Sequence, residues 1–174
     1  MKSRTFRFIF ETVLCSVFGA IMFASDIMME AFPNIHLIAM FIVTFTVVFR
    51  FKALISVYTY VFLNGLYAGF SQWWIPYLYV WTVLWLVVML LPKFKSAKFA
   101  VPTYIIICAL HGLSFGLLYA PVNSLMFGLD FDATVAWVIA GLPFDFTHAV
   151  GNFFAGMLCY PLIIALKKTI KRTV

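Results

Sequence analysis

The chain has 174 residues, of which 65% are hydrophobic and 10% charged, with a formal net charge of +6. An ordinary globular domain carries about 25% charged residues, and with so few a water-soluble fold of this size could not supply the polar part of its own surface. The composition excludes a soluble domain, and it makes the positive charge a matter of membrane orientation and anionic headgroups rather than of nucleic acid.

A membrane-spanning helix needs about 20 mostly apolar residues. Six stretches qualify in chain order: 8–25, 34–49, 53–70, 76–91, 99–119 and 144–166. The first follows Lys2, Arg4 and Arg7. It is read as a retained span, because Met22 before Ala24 makes a poor cleavage site for a signal peptidase. Arg50 and Lys52 separate the second span from the third, and Lys93, Lys95 and Lys98 the fourth from the fifth. Lys167, Lys168, Lys171 and Arg172 follow the sixth.

With a cytoplasmic amino terminus, all twelve Lys and Arg residues fall on the cytoplasmic side. The connections 26–33, 71–75 and 120–143 then face outward, with Asp26, Glu30, Asp130 and Asp132 and no basic residue. That distribution satisfies the positive-inside rule. The expected fold is an all-α integral membrane protein, a single domain over 1–174 built as one bundle of six transmembrane helices with both termini cytoplasmic.

Pro33–Asn34, Pro76 and Pro143 read as helix starts at the outer face, where proline's missing N–H is no loss. Residues Ala133–Leu142 are too short to span and read as an interfacial piece. Cys15, Cys108 and Cys159 lie in apolar runs. Three buried thiols fit no disulfide framework or metal spacing and read as small apolar filler.

Polar residues inside the spans are sparse and patterned. Asp145, His148 and Asn152 follow i, i+3, i+7, which places them on one helical stripe. Tyr104, Cys108 and His111 form a stripe on the fifth span. Tyr60, Asn64 and Tyr67 form another on the third, and Tyr77, Trp81 and Trp85 one on the fourth. Counting about 1.5 Å per residue puts most of these groups in the outer half of the bundle. Ionisable groups within spans usually face the protein interior or a wet cavity. An outward-opening pocket of rings and a few hydrogen-bonding groups suits a small, flat, polar molecule. Each group also has a structural alternative: Asp145 as a cap in the first turn of its helix, His111 bonded to a backbone carbonyl, and Asn64 as an interhelical hydrogen bond.

The stretches FPNIHLIAMFIVTFTVVF (32–49), WWIPYLYVW (73–81) and WVIAGLPFDFTHAVGNFF (137–154) resemble the substrate-binding S components of energy-coupling factor (ECF) vitamin transporters, in order and over nearly the whole chain. The resemblance implies a multi-pass subunit of a bacterial cell membrane that takes a vitamin-like ligand from outside. Its partners would be a transmembrane coupling subunit and two ATPase subunits. It further implies a lid over Asp26–Asn34 and pocket residues among Trp81, His111, Asp145, His148 and Asn152, to which Tyr77, Asn64 and Asn34 are added from the stripes and the outer loop. A docking face would lie at Ala20 and Ala24, extended backward by Ser16. Small residues every four positions let helices approach closely in lipid. No phosphate-binding loop of the G-x-x-x-x-G-K-[ST] type occurs, so ATP hydrolysis would belong to the partners. The start Met1-Lys2-Ser3 lacks the histidine that metal-transporting relatives place after the initiator. Neither metal nor cofactor is expected.

Two other readings compete. An autonomous transporter would need a polar path through both halves of the bundle or an internal repeat. An intramembrane enzyme would use His111, Asp145 and His148, yet no HExxH-like pattern is present.

Overall fold

A computed structural model describes residues 4–173. The Met1-Lys2-Ser3 start, which bears on metal cargo, lies outside the described residues. The described chain is helical throughout, with no strand: α1 (Arg4–Met29), α2 (Ile38–Phe49), α3 (Ala53–Ala68), α4 (Tyr77–Leu90), α5 (Ala97–Leu113), α6 (Phe115–Phe127), α7 (Phe131–Gly156) and α8 (Cys159–Thr173). Five helical stretches are long and apolar enough to cross a membrane: 4–29, 38–68, 72–90, 97–127 and 131–156.

The 38–68 stretch does not run straight. Arg50 takes φ 56° and the chain turns through a 3₁₀ segment at Arg50–Lys52, so α2 and α3 form a hairpin. Side-chain contacts set its direction. Lys52 Nζ meets Glu11 Oε2 at 2.8 Å, Ser56 Oγ donates to the Cys15 carbonyl at 2.7 Å, and Tyr60 Oη donates to Asp26 at 2.8 Å. α3 therefore runs parallel to α1. Gly19 lets the two helices touch, since a Cβ there would stand 2.5 Å from Thr59 Cβ. Arg7, Glu11, Phe49 and Lys167 border one cavity, so the basic turn, the start of α1 and the start of α8's basic run share one end of the bundle. Asp26, Asn34, Asn64 and Trp73 share the other. Between them Ile38, Ile42, Val43, Val57, Val61 and Leu84 are buried in a continuous apolar core. The chain thus passes along the bundle six times, the last two passes being α5–α6 and α7–α8.

The outer connections depart from the sequence reading. The second helix begins at Ile38, not at Pro33–Asn34: Asn34 sits in a turn at φ 59°, a conformation asparagine tolerates. Residues 120–143 are not a loop with an interfacial piece. α6 continues to Phe127, Gly128 turns at φ 63°, and Asp130 caps α7 by accepting the Ala133 N–H at 2.8 Å. Pro143 lies inside α7 rather than at its start. Its ring is on the exposed face, so it meets no packed neighbour. The break expected at 143 falls instead at Met157–Leu158, where α7 ends and α8 begins. Pro76 does stand immediately before α4, as its position predicts. The three cysteines are buried thiols, with Cys108 and Cys159 3.9 Å apart at sulfur.

Candidate functional site: a ring cluster with unpartnered polar atoms

α5 breaks at Ser114 and resumes as α6, which frees the first amides of the new helix. Asp145, from the middle of α7, satisfies one of them. Its two oxygens accept the Gly116 N–H at 3.0 and 3.1 Å. Asp145 is therefore a helix cap, but of α6 and not of the first turn of its own helix. A Cβ at Gly116 would lie 2.5 Å from Asp145 Oδ2, so only glycine admits this arrangement. Gly112 and Gly156 bring α5 and α7 equally close, their hypothetical Cβ atoms lying 2.9 Å from the Ala149 nitrogen and from the Ile105 Cα. Small residues at four-residue spacing produce such contacts in lipid.

This clamp turns His148 and Asn152 inward. Trp81, fully buried on α4, forms the centre of the ring cluster that His148 joins, and Asn152 lies one turn further along α7 against Gly112. Its ring lies 5.4–5.9 Å, centroid to centroid, from those of His36, Tyr60, Tyr77, His111 and Phe115. His148 packs at 4.5 Å from His36 and 4.8 Å from Phe115. All three histidines of the chain thus converge. Among the described residues, however, no group of three His, Cys, Asp or Glu side chains is arranged to hold a metal.

Buried polar atoms are normally paired. Among the described residues, Trp81 Nε1, His111 Nδ1, His148 Nε2 and both amide atoms of Asn152 are buried without a partner, and the sixth such atom, Thr46 Oγ1, lies apart on α2. His111 Nε2 lies 3.1 Å from the Val80 carbonyl. A carbonyl only accepts, so Nε2 carries the proton and Nδ1 of the neutral ring is an acceptor. The structural alternative for His111 is realised at Nε2, while Nδ1 is left without a partner.

Above the cluster a cavity of about 260 Å³ opens between α1, α3 and the 30–37 connection, lined by Asp26, Asn34, His36, Asn64, Tyr67 and Trp73 among others. Asn64 is buried and donates to the Tyr60 carbonyl of its own helix at 3.2 Å, rather than across helices. Asp26 belongs to α1 and not to the connection, which shortens the expected lid to the residues after Met29. His36 borders the cavity and also packs against Trp81 and His148, so it stands between the opening and the unpartnered groups. Burial lowers its pKa to about 4, which keeps its ring neutral. A wider depression of about 510 Å³ beside α4, α5 and α7 is almost wholly aliphatic. Its two ionisable groups, His111 and Asp145, are held by Val80 and Gly116.

The structure therefore brings together Trp81, Tyr77, His111, His148 and Asn152, sets Asn34 and Asn64 at the cavity, and gives Asp145 a clamping position. His36 and Phe115 join the cluster without any signal in the sequence. His36 sits in an irregular segment outside any periodic stripe, and Phe115 is one of 21 phenylalanines. Ala20 and Ala24 are exposed on α1 and Ser16 is half-buried; the close α1–α3 contact uses Gly19 instead. Compared with known proteins, the chain matches no family model, no curated protein and no solved structure.

Proposed function

We propose that the chain is the substrate-binding membrane subunit of an ECF-type importer, taking a small vitamin-like molecule from the outer face and handing it to a coupling subunit driven by two ATPases. One observation carries this reading. Among the described residues, three of the six buried polar atoms without partners belong to a single ring-walled cluster at the end of the bundle away from its basic residues, and two more to Asn152, one turn of α7 from His148 and against Gly112. Unpaired groups of this kind cost stability unless something else binds them. With the basic end cytoplasmic, as the positive-inside rule requires, the cavity above the cluster faces outward. The apolar core below the cluster supports a binding cup over an autonomous channel.

The exposed Ala20–Ala24 face supplies a smooth surface for close helix contact with a coupling subunit. The test is reconstitution. Vesicles containing this chain alone should bind ligand without accumulating it, and accumulation should need the coupling subunit, both ATPases and ATP. Accumulation by the chain alone would remove the proposal in favour of an autonomous transporter.

A further inference from the structure

We infer that the cluster selects a planar nitrogen heterocycle that is uncharged or cationic, with adjacent hydrogen-bond donor and acceptor groups on one edge, and that it rejects carboxylates and phosphates. This rests on the reading that the cluster is a ligand site, and it narrows what that site takes.

The sign of the charge follows from what surrounds the cluster. No lysine or arginine occurs in residues 8–49, 53–92 or 99–166, so none of the segments that build the site offers a cation. A helix N-terminus could hold an anion without one. Of the helix N-termini that adjoin the cluster, that of α6 has its Gly116 amide taken by the Asp145 carboxylate, and that of α2 has its Ile38 amide turned to His36 Nδ1. At the mouth stand Asp26 and Glu30, both acidic. An entering anion would pass two carboxylates and find no opposite charge beneath them. An isolated buried charge is unfavourable by far more than the hydrogen bonds of a small ligand return.

The hydrogen-bonding pattern follows from the free atoms. Trp81 Nε1 can only donate, and His111 Nδ1 accepts because Nε2 is committed to Val80. Asn152 offers both an N–H and a carbonyl from one amide, and both are unpartnered. The complementary edge carries a donor next to an acceptor, as in a lactam, a carboxamide or an aminopyrimidine. The rings of Trp81, Phe115 and His148 pack against one another at 4.8–5.4 Å and do not line the cavity, so a flat molecule reaches the free atoms by displacing His36 and parting these rings, taking over their aromatic contacts.

The experiment uses the whole chain in lipid nanodiscs and matched probes that share a ring and differ in charge: nicotinamide against nicotinate, and pyridoxine against pyridoxine 5′-phosphate. Binding is read by calorimetry and by thermal protection. Small molecules retained by the purified protein are identified in parallel by mass spectrometry after denaturation. The uncharged member of each pair should bind about a hundredfold more tightly than its anionic partner, the discrimination expected when an anion is left unpaired. Trp81→Phe, which keeps a ring but removes the donor, should weaken the uncharged probes about tenfold.

Equal or tighter binding of nicotinate or the phosphate, or a retained compound that is an acid, overturns this inference and leaves the binding subunit standing. Failure of every probe at millimolar concentration, with nothing retained, overturns both. Because the paired comparison is made on the unaltered chain, misfolding of a variant leaves the comparison intact.

Discussion

Replacing Asn152 by leucine separates a ligand-binding asparagine from a structural one by the sign of a stability change. Asn152 is fully buried and neither amide atom has a partner. Leucine keeps the amide's heavy-atom count, with two methyl groups where the oxygen and nitrogen stand, although it is the bulkier side chain and presses harder on Gly112. A buried amide lacking hydrogen bonds is unfavourable by about 1–3 kcal/mol, and an apolar side chain of that shape removes the penalty. Asn152→Leu should therefore leave the empty protein equally stable or more stable by up to about 2 kcal/mol, while abolishing ligand binding. For a chain of this length such a gain corresponds to a rise in melting temperature of roughly 4–8 °C. The assay is thermal unfolding in detergent or nanodiscs, followed by the fluorescence of the five tryptophans, with ligand removed beforehand. A loss of more than about 1 kcal/mol in both Asn152→Leu and the less bulky Asn152→Val would mean that the amide holds the empty fold together through hydrogen bonds, and the argument from unpartnered groups would fail.

Four further outcomes follow from particular contacts. Gly116→Ala drives a Cβ into Asp145 Oδ2 and should lower stability by about 1–2 kcal/mol, as loss of a helix cap does; in thermal unfolding Asp145→Ala should add little to it, since both remove one interaction. Gly19→Val should separate α1 from α3 at Thr59, seen as lost yield of folded monomer or a depressed melting temperature. His36 is neutral in the folded state, with a pKa near 4 against an ordinary 6.5. The unfolded chain thus binds more protons between those values, so the His36 contribution is complete above about pH 6.5 and is lost as the pH falls toward 4; a His36→Phe variant should show a flatter melting profile across that window. Ala20→Trp alters an exposed position on α1 and should preserve ligand affinity in calorimetry while stopping ATP-driven uptake in reconstituted vesicles.

Much of the architecture was legible because the bilayer imposes it. Runs near 20 apolar residues mark out helices long and apolar enough to cross a membrane before any contact is known. The stripe His148–Asn152 and the rings at 77 and 81 were legible too, since helical periodicity states which residues share a face. What periodicity does not state is where a helix stops inside an apolar region. Pro143 carries a strong start signal, yet α7 runs through it. Ser114 carries almost none, yet the chain breaks there, because the stabilising partner is Asp145, 31 positions on and from another helix. His36 was missed for a related reason: an irregular segment has no repeat from which to read a facing direction, and its position depends on Ile38 donating its N–H to the ring at 3.3 Å.

The break at Ser114 and the polar cluster are best understood as one arrangement. An uninterrupted helix from 97 to 127 would offer α7 no free amide, and Asp145 would then be a carboxylate in an apolar bundle with nothing to bind. With the break, Asp145 and Gly116 fasten the two helices. Gly112 and Gly156 keep them at backbone distance from Ala149 to Gly156 of α7, and Gly116 makes room for the Asp145 carboxylate. Backbones held that closely leave α7 little freedom to rotate, so the face carrying His148 and Asn152 stays directed toward His36, Phe115 and Gly112, although His148 Nε2 and the Asn152 amide pair with nothing there. In a looser pair, rotation would let those groups find carbonyls or hydroxyls of their own, and the cluster would lose the unsatisfied hydrogen-bonding capacity on which recognition depends. Rigidity in the clamp is thus what keeps the polar atoms of the site free.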